Sequence, residues 1–128
     1  MKKILCLFLC TLLAVSVIAT NVFAAEPRWT HVGSVSPSIS ANDGTYTSEV
    51  SCLDGTSKIE CTLILYEKGL FGNYTEVSRV SDVYYGHTHE FVGHYAIKSG
   101  TTYKLVTDVV ATRNGSTEHV SVPFEKKC

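Results

Sequence analysis

Two histidines two positions apart, His87 and His89, are the residues whose types and spacing in this chain most invite chemistry. Side chains alternate along an extended strand, so the pair would project to one side with Tyr85 and Phe91, leaving Glu90 and His94 on the other. Zinc takes three or four ligands at about 2 Å, and His119, on a separate segment, would supply the third. A small metal-dependent hydrolase on these three imidazoles is therefore one reading. The competing one is a strand edge with two solvated histidines and no cofactor.

Other catalytic arrangements find less to build on. General acid–base work needs two carboxylates held across a cleft, whereas Glu49, Glu60, Glu67, Glu76, Glu90 and Glu118 alternate with other residues as outward positions. Asp108 sits between apolar neighbours; if buried, it would need donors from Arg79, Arg113 or backbone amides. The chain has no Ser-His-Asp signature, and Gly69 to Gly72 lacks the strand and helix that flank a phosphate loop. No residue is assigned a catalytic role.

Cys52 and Cys61 both fall on the apolar phase of their segments, on either side of the turn signal Asp54-Gly55-Thr56-Ser57. Phase alone predicts a Cys52–Cys61 disulfide, with pairing to Cys128 or three free thiols as alternatives. Cys128, the odd one out, could join two chains as a homodimer. A reactive thiol would also need an adjacent base, and none is legible. Among the aromatic residues, Phe71 and Tyr74, in or beside a loop, and Tyr84 and Tyr85 are the candidates for a binding surface, since aromatics bury large area at small entropic cost.

The elements that position these groups must come from the chain beyond residue 25. Met1-Lys2-Lys3, an apolar run over residues 4–18 and the small residues of Val22-Phe23-Ala24-Ala25 have the order of a secretory signal peptide. The run is shorter than a spanning helix requires, and no second stretch of 18 apolar residues occurs after it. The expectation is a secreted or envelope-associated single domain over residues 26–128, without stable membrane insertion after cleavage. Without Lys2 and Lys3 the chain carries 9 basic and 12 acidic residues, a net charge of −3. A scattered acidic balance lacks the basic stripe on which phosphate-backbone binding depends, which argues against nucleic acid as a partner.

Beyond the leader, turn residues recur every eight to twelve positions, and the stretches between are rich in Val, Ile, Thr, Tyr and Phe. Strands are predicted over residues 29–39, interrupted or ended by Pro37, and over 45–53, 59–67, 74–85, 89–97, 102–112 and 118–124. The third is the most apolar and is expected at a central position. The fourth, of mixed polarity, is expected at an edge. About seven such segments would expose an apolar face as one open sheet, so the fold class is all-β, a two-sheet antiparallel sandwich.

Gly100-Thr101-Thr102-Tyr103-Lys104-Leu105-Val106-Thr107, followed by Asn114-Gly115, resembles the penultimate strand and last hairpin of immunoglobulin-like and fibronectin type III-like sandwiches. The resemblance implies that the Tyr103 hydroxyl bonds backbone across a corner. Arg28-Trp29, Gly55-Thr56-Ser57-Lys58-Ile59, Leu65-Tyr66-Glu67-Lys68 and the segment from Gly100 to Leu105 also resemble a family of small secreted bacterial proteins of uncharacterised function. The chain departs from that pattern at Gly72-Asn73-Tyr74, where members often carry tryptophan, and no catalytic residue is implied. The combined expectation is a non-enzymatic domain, without cofactor, that binds a protein or glycan at the cell surface or outside the cell. A metal-dependent hydrolase and a disulfide-stapled effector or inhibitor are the alternatives.

Overall fold

A computed structural model describes residues 29–128. The signal peptide assigned to residues 1–25, its cleavage point and Arg28 lie outside the described residues. The rest forms seven strands: β1 (Val32–Ser40), β2 (Thr45–Cys52), β3 (Thr56–Lys68), β4 (Tyr74–Tyr84), β5 (Thr88–His94), β6 (Thr102–Arg113) and β7 (Ser116–Lys127). They make two antiparallel sheets, one in the order β1-β2-β5 and one in the order β4-β3-β6-β7. This is an immunoglobulin-like sandwich in which the fourth strand pairs with the third rather than the fifth.

The period of two explains why these sheets face each other. Tyr46, Ser48, Val50 and Cys52 of β2 point into the same layer as Ile59, Cys61, Leu63 and Leu65 of β3 and Tyr103, Leu105, Thr107, Val109 and Ala111 of β6. β3 lies between β4 and β6, as its apolar content predicts, and β4 is an edge. Pro37 and Pro123 do not end their strands as expected for Pro37, because β1 and β7 are both edges, where a missing N–H breaks no ladder. Asn114 and Gly115 take φ of 50° and 80°, the two left-handed residues of a tight hairpin turn between β6 and β7. One buried polar pair spans the centre of the core: Thr107 Oγ1 donates to Ser48 Oγ at 2.9 Å, so neither hydroxyl is left unpaired.

Each open side of the sandwich is stitched by side chains. On the β4/β5 side, the Tyr46 ring passes over Gly93, its partner on β5, and shares a 2.5 Å hydrogen bond with Ser78 Oγ of β4. Farther along, the Tyr84 ring stacks on His89 with centroids 4.1 Å apart, and His89 meets Phe91 edge-on at 4.8 Å. On the β1/β7 side, Lys126 Nζ donates to the Ile39 carbonyl at 2.7 Å.

Glu118 closes that same side and is not the outward solvating residue that alternation suggests. Its carboxylate accepts from the amides of Thr30, His31 and Val32 at 2.6, 2.9 and 3.1 Å and from the Thr30 hydroxyl at 2.5 Å. A chain entering a sandwich edge has amides without ladder partners, and one carboxylate satisfies three of them. Partial burial pushes the Glu118 carboxyl up, but these hydrogen bonds outweigh it and take it down to about 2 from an ordinary 4.5. A depressed folded-state value means the contribution is complete above about pH 4.5 and fades as pH falls towards 2. Glu118→Gln is expected to lose about 1–2 kcal/mol at pH 7, a figure discounted for solvent access to the group. Urea unfolding at a series of pH values should show the two proteins converging as pH falls from about 4.5 to about 2; a gap independent of pH would contradict the charge-assisted clasp.

Candidate functional site

β3 is the longest strand, and the hairpin it makes with β4 ends in the turn Gly69-Leu70-Phe71-Gly72-Asn73. The Gly72 amide donates to the Gly69 carbonyl at 3.1 Å and the Gly69 amide to the Asn73 carbonyl at 2.8 Å, which closes the turn on its own backbone. Leu70 and Phe71 occupy its two central positions, where small or polar residues are favoured. Their side chains are 101% and 98% exposed. Two large apolar side chains standing free on a hydrogen-bonded turn are a preformed contact point, because little order remains to be imposed on binding.

The surroundings of that turn are basic. Glu67, Lys68, Leu70, Lys98 and Lys127 line an open cleft of about 460 Å³ beside it. Glu67 is already engaged, accepting from the Tyr103 hydroxyl at 3.2 Å and pairing with Lys98 Nζ at 3.4 Å. Next to the turn, on the outer face of the four-stranded sheet, Lys104 Nζ lies 4.4 Å from the centroid of Tyr74 and 5.1 Å from that of Tyr66. The Tyr74 hydroxyl donates to Glu125 at 2.8 Å, a bond that raises the phenol above its usual range. Tyr74 is thus held by Lys104 at its ring and Glu125 at its hydroxyl.

Of the four aromatic residues that the sequence offers for a binding surface, Phe71 and Tyr74 fall at this end and Tyr84 and Tyr85 do not. The pairs lie at opposite ends of the 11-residue strand β4, roughly 33 Å apart at strand rise. Tyr84 is committed to the stack on His89, and Tyr85 stands alone, 78% exposed, at the far end. Leu70 is absent from that set, although Gly-Leu-Phe-Gly between Lys68 and Asn73 carries the signal: apolar bulk where a turn needs none.

The three expected metal ligands do not converge. His87 precedes β5; its carbonyl accepts from the Cys52 amide at 2.7 Å, and its imidazole meets the Thr88 hydroxyl at 3.2 Å. His89 is packed between Tyr84 and Phe91. His119 lies on β7, at the opposite edge of the other sheet, against the Asp108 carboxylate. Among the described residues no three His, Cys, Asp or Glu side chains are placed to hold a metal ion. Alternation correctly puts His89 beside Phe91 but cannot bring in a third ligand from across the fold. Asp108 accordingly faces outward and meets His119, not Arg79 or Arg113.

The Cys52–Cys61 bridge is also corrected, since the three cysteines among the described residues are free. Both thiols face the core, as phase predicts, but Cys52 ends β2 at the turn while Cys61 lies five residues beyond the start of β3. That is roughly 15 Å of strand, against the Cα separation of about 7 Å a disulfide can span. Burial pushes the Cys61 thiol up to about 12, with Asp108 and Asp82 adding to it, and burial followed by Glu118 raises Cys52. Neither is poised as a nucleophile.

One constellation imitates a hydrolytic triad. His31 Nε2 lies 2.9 Å from Ser116 Oγ, with Glu118 nearby. However, Glu118 is spent on backbone amides, and among the described residues the buried His31 Nδ1 has no partner. Nothing orients the ring as a general base requires.

The Tyr103 contact implied by the sandwich resemblance is present: its hydroxyl accepts from the Lys98 amide at 2.9 Å while the ring is fully buried. No protein-family model matches the chain, and no curated protein matches it either.

Proposed function

We propose that the protein is a secreted, non-enzymatic binding module that holds a component of the cell surface through the end of the sandwich bearing Leu70 and Phe71. The observation that carries this reading is the complete exposure of two large apolar side chains on a turn closed by its own hydrogen bonds. Exposed apolar groups gathered at one rigid point on a domain mark a contact surface. The leader-like residues 1–25 and the resemblance to secreted bacterial domains support a role outside the cytoplasm. The separation of the histidines and the buried, high-pKa thiols favour binding over hydrolysis.

Retention of labelled protein on intact cells and isolated envelopes tests the proposal. Leu70→Ser combined with Phe71→Ser should weaken retention by at least about tenfold, since each side chain loses its apolar burial. Its near-ultraviolet spectrum and melting should match the wild type, because neither residue touches the core. Equal retention of the double variant, or no retention of the wild type, would overturn the assignment.

A further inference from the structure

Resting on that contact end, we propose that its partner is the surface of a lipid bilayer carrying anionic headgroups, into which Leu70 and Phe71 insert while the surrounding lysines meet the phosphates. Shape argues first. The cleft beside the tip is open, and among the described residues no aromatic ring lines it, so it offers a sugar no stacking platform. Two side chains bury roughly 400 Å², far below the area of about 1,200 Å² or more that a stable protein interface covers. A bilayer interface needs no matching pocket and receives any apolar tip that reaches it.

Charge argues second. The described residues contain six lysines, and five of them, Lys68, Lys98, Lys104, Lys126 and Lys127, lie at the end of the sandwich where the turn stands; Lys58 alone lies towards the other end. The chain as a whole is acidic, so this is segregation, not excess. The acidic side chains at the same end are occupied: Glu67 by Tyr103 and Lys98, Glu76 by Arg79 at 2.6 Å, Glu125 by Tyr74, and Asp43 by the Ser40 hydroxyl at 3.1 Å. Among the described residues, Lys68 and Lys127 have no carboxylate within 4 Å. They flank the cleft beside Leu70. Lysines near an anionic leaflet add attraction that fades with salt, and the apolar pair supplies a part that does not.

Co-sedimentation with phosphatidylcholine vesicles, with and without phosphatidylglycerol, tests this. The wild type should sediment with the anionic vesicles and at least about tenfold less with the neutral ones. Lys68→Glu with Lys127→Glu should weaken anionic binding about tenfold or more, and Phe71→Ser should do the same at constant charge. Phe71→Trp gives a second readout: its emission should shift to the blue on the anionic vesicles. Trp29, at the far end of the sandwich, should contribute no shift in the wild type. No sedimentation with either vesicle, or equal sedimentation with both, overturns the proposal. If the wild type ignores vesicles yet clings to envelopes through Leu70 and Phe71, the partner is a protein and only the lipid assignment falls. If the Leu70→Ser, Phe71→Ser protein holds envelopes as well as the wild type, the contact end itself is wrong.

Discussion

Gly93→Ala is expected to destabilise the domain by about 3 kcal/mol or more, the upper range for overpacking a closed core. A methyl group at position 93 would lie 2.5 Å from the Tyr46 hydroxyl oxygen and closer still to Cζ and Cε2 of the ring. The ring cannot step aside, because Tyr46 is 1% exposed and its hydroxyl is tied to Ser78 on the other sheet. Relief would therefore have to come from β5 moving out or from the Tyr46–Ser78 stitch breaking, and either opens the β4/β5 side. Urea unfolding should show a lower midpoint with the same slope. In a Tyr46→Leu background, where no ring crosses Gly93, the same alanine should cost little, so the two changes should be strongly non-additive. A Gly93→Ala protein that unfolds like the wild type would mean that Tyr46 does not take this path.

Tyr103→Phe is expected to cost about 2 kcal/mol while preserving almost all packed volume. The hydroxyl accepts from the Lys98 amide and donates to Glu67, so its loss strips a partner from both. The Lys98 amide belongs to the segment that carries the chain from β5 of one sheet to β6 of the other. Without the hydroxyl, that crossing is held by the edge contact of Tyr95 on the Tyr103 ring, by the Tyr95 amide bonded to the Gly44 carbonyl and by the Gly100 amide bonded to the Cys128 carbonyl. Hydrogen exchange should therefore accelerate at Lys98 beyond the change set by global stability, with β3 and β6 staying protected. A cost below about 0.5 kcal/mol, or unaltered exchange at Lys98, would show that the corner is held by packing alone.

Strand positions and facing are open to view in the amino-acid order. Alternation assigns Tyr46, Val50, Ile59, Leu63 and Leu65 to one layer, and all are buried. Asn114-Gly115 names its hairpin, and the apolar run after Lys58 names the centre of the larger sheet. These are local signals, set by a period of two and by residues that tolerate left-handed backbone. Alternation misplaces Glu118 for the same reason: it registers the neighbours along β7 but not the amides of residues 30–32 brought alongside.

The candidate site divides in the same way. Phe71 and Tyr74 can be picked out beside a loop, but the lysines that surround them come from β3, the β5 to β6 crossing, β6 and β7, and no spacing in the chain announces that company. His87, His89 and His119 suggest a cluster that the topology pulls apart, and Cys52 and Cys61 face one core from opposite sheets at different heights.

The order of amino acids by itself determined an all-β chain, its turns and the inward side of its strands, because each depends on neighbours a few positions away. Only the tertiary structure decided which strands share a sheet, how far along the sandwich each side chain lies, and which distant groups meet. Those depend on how the crossings between sheets bring remote segments to the same height, and side-chain alternation carries no information about height.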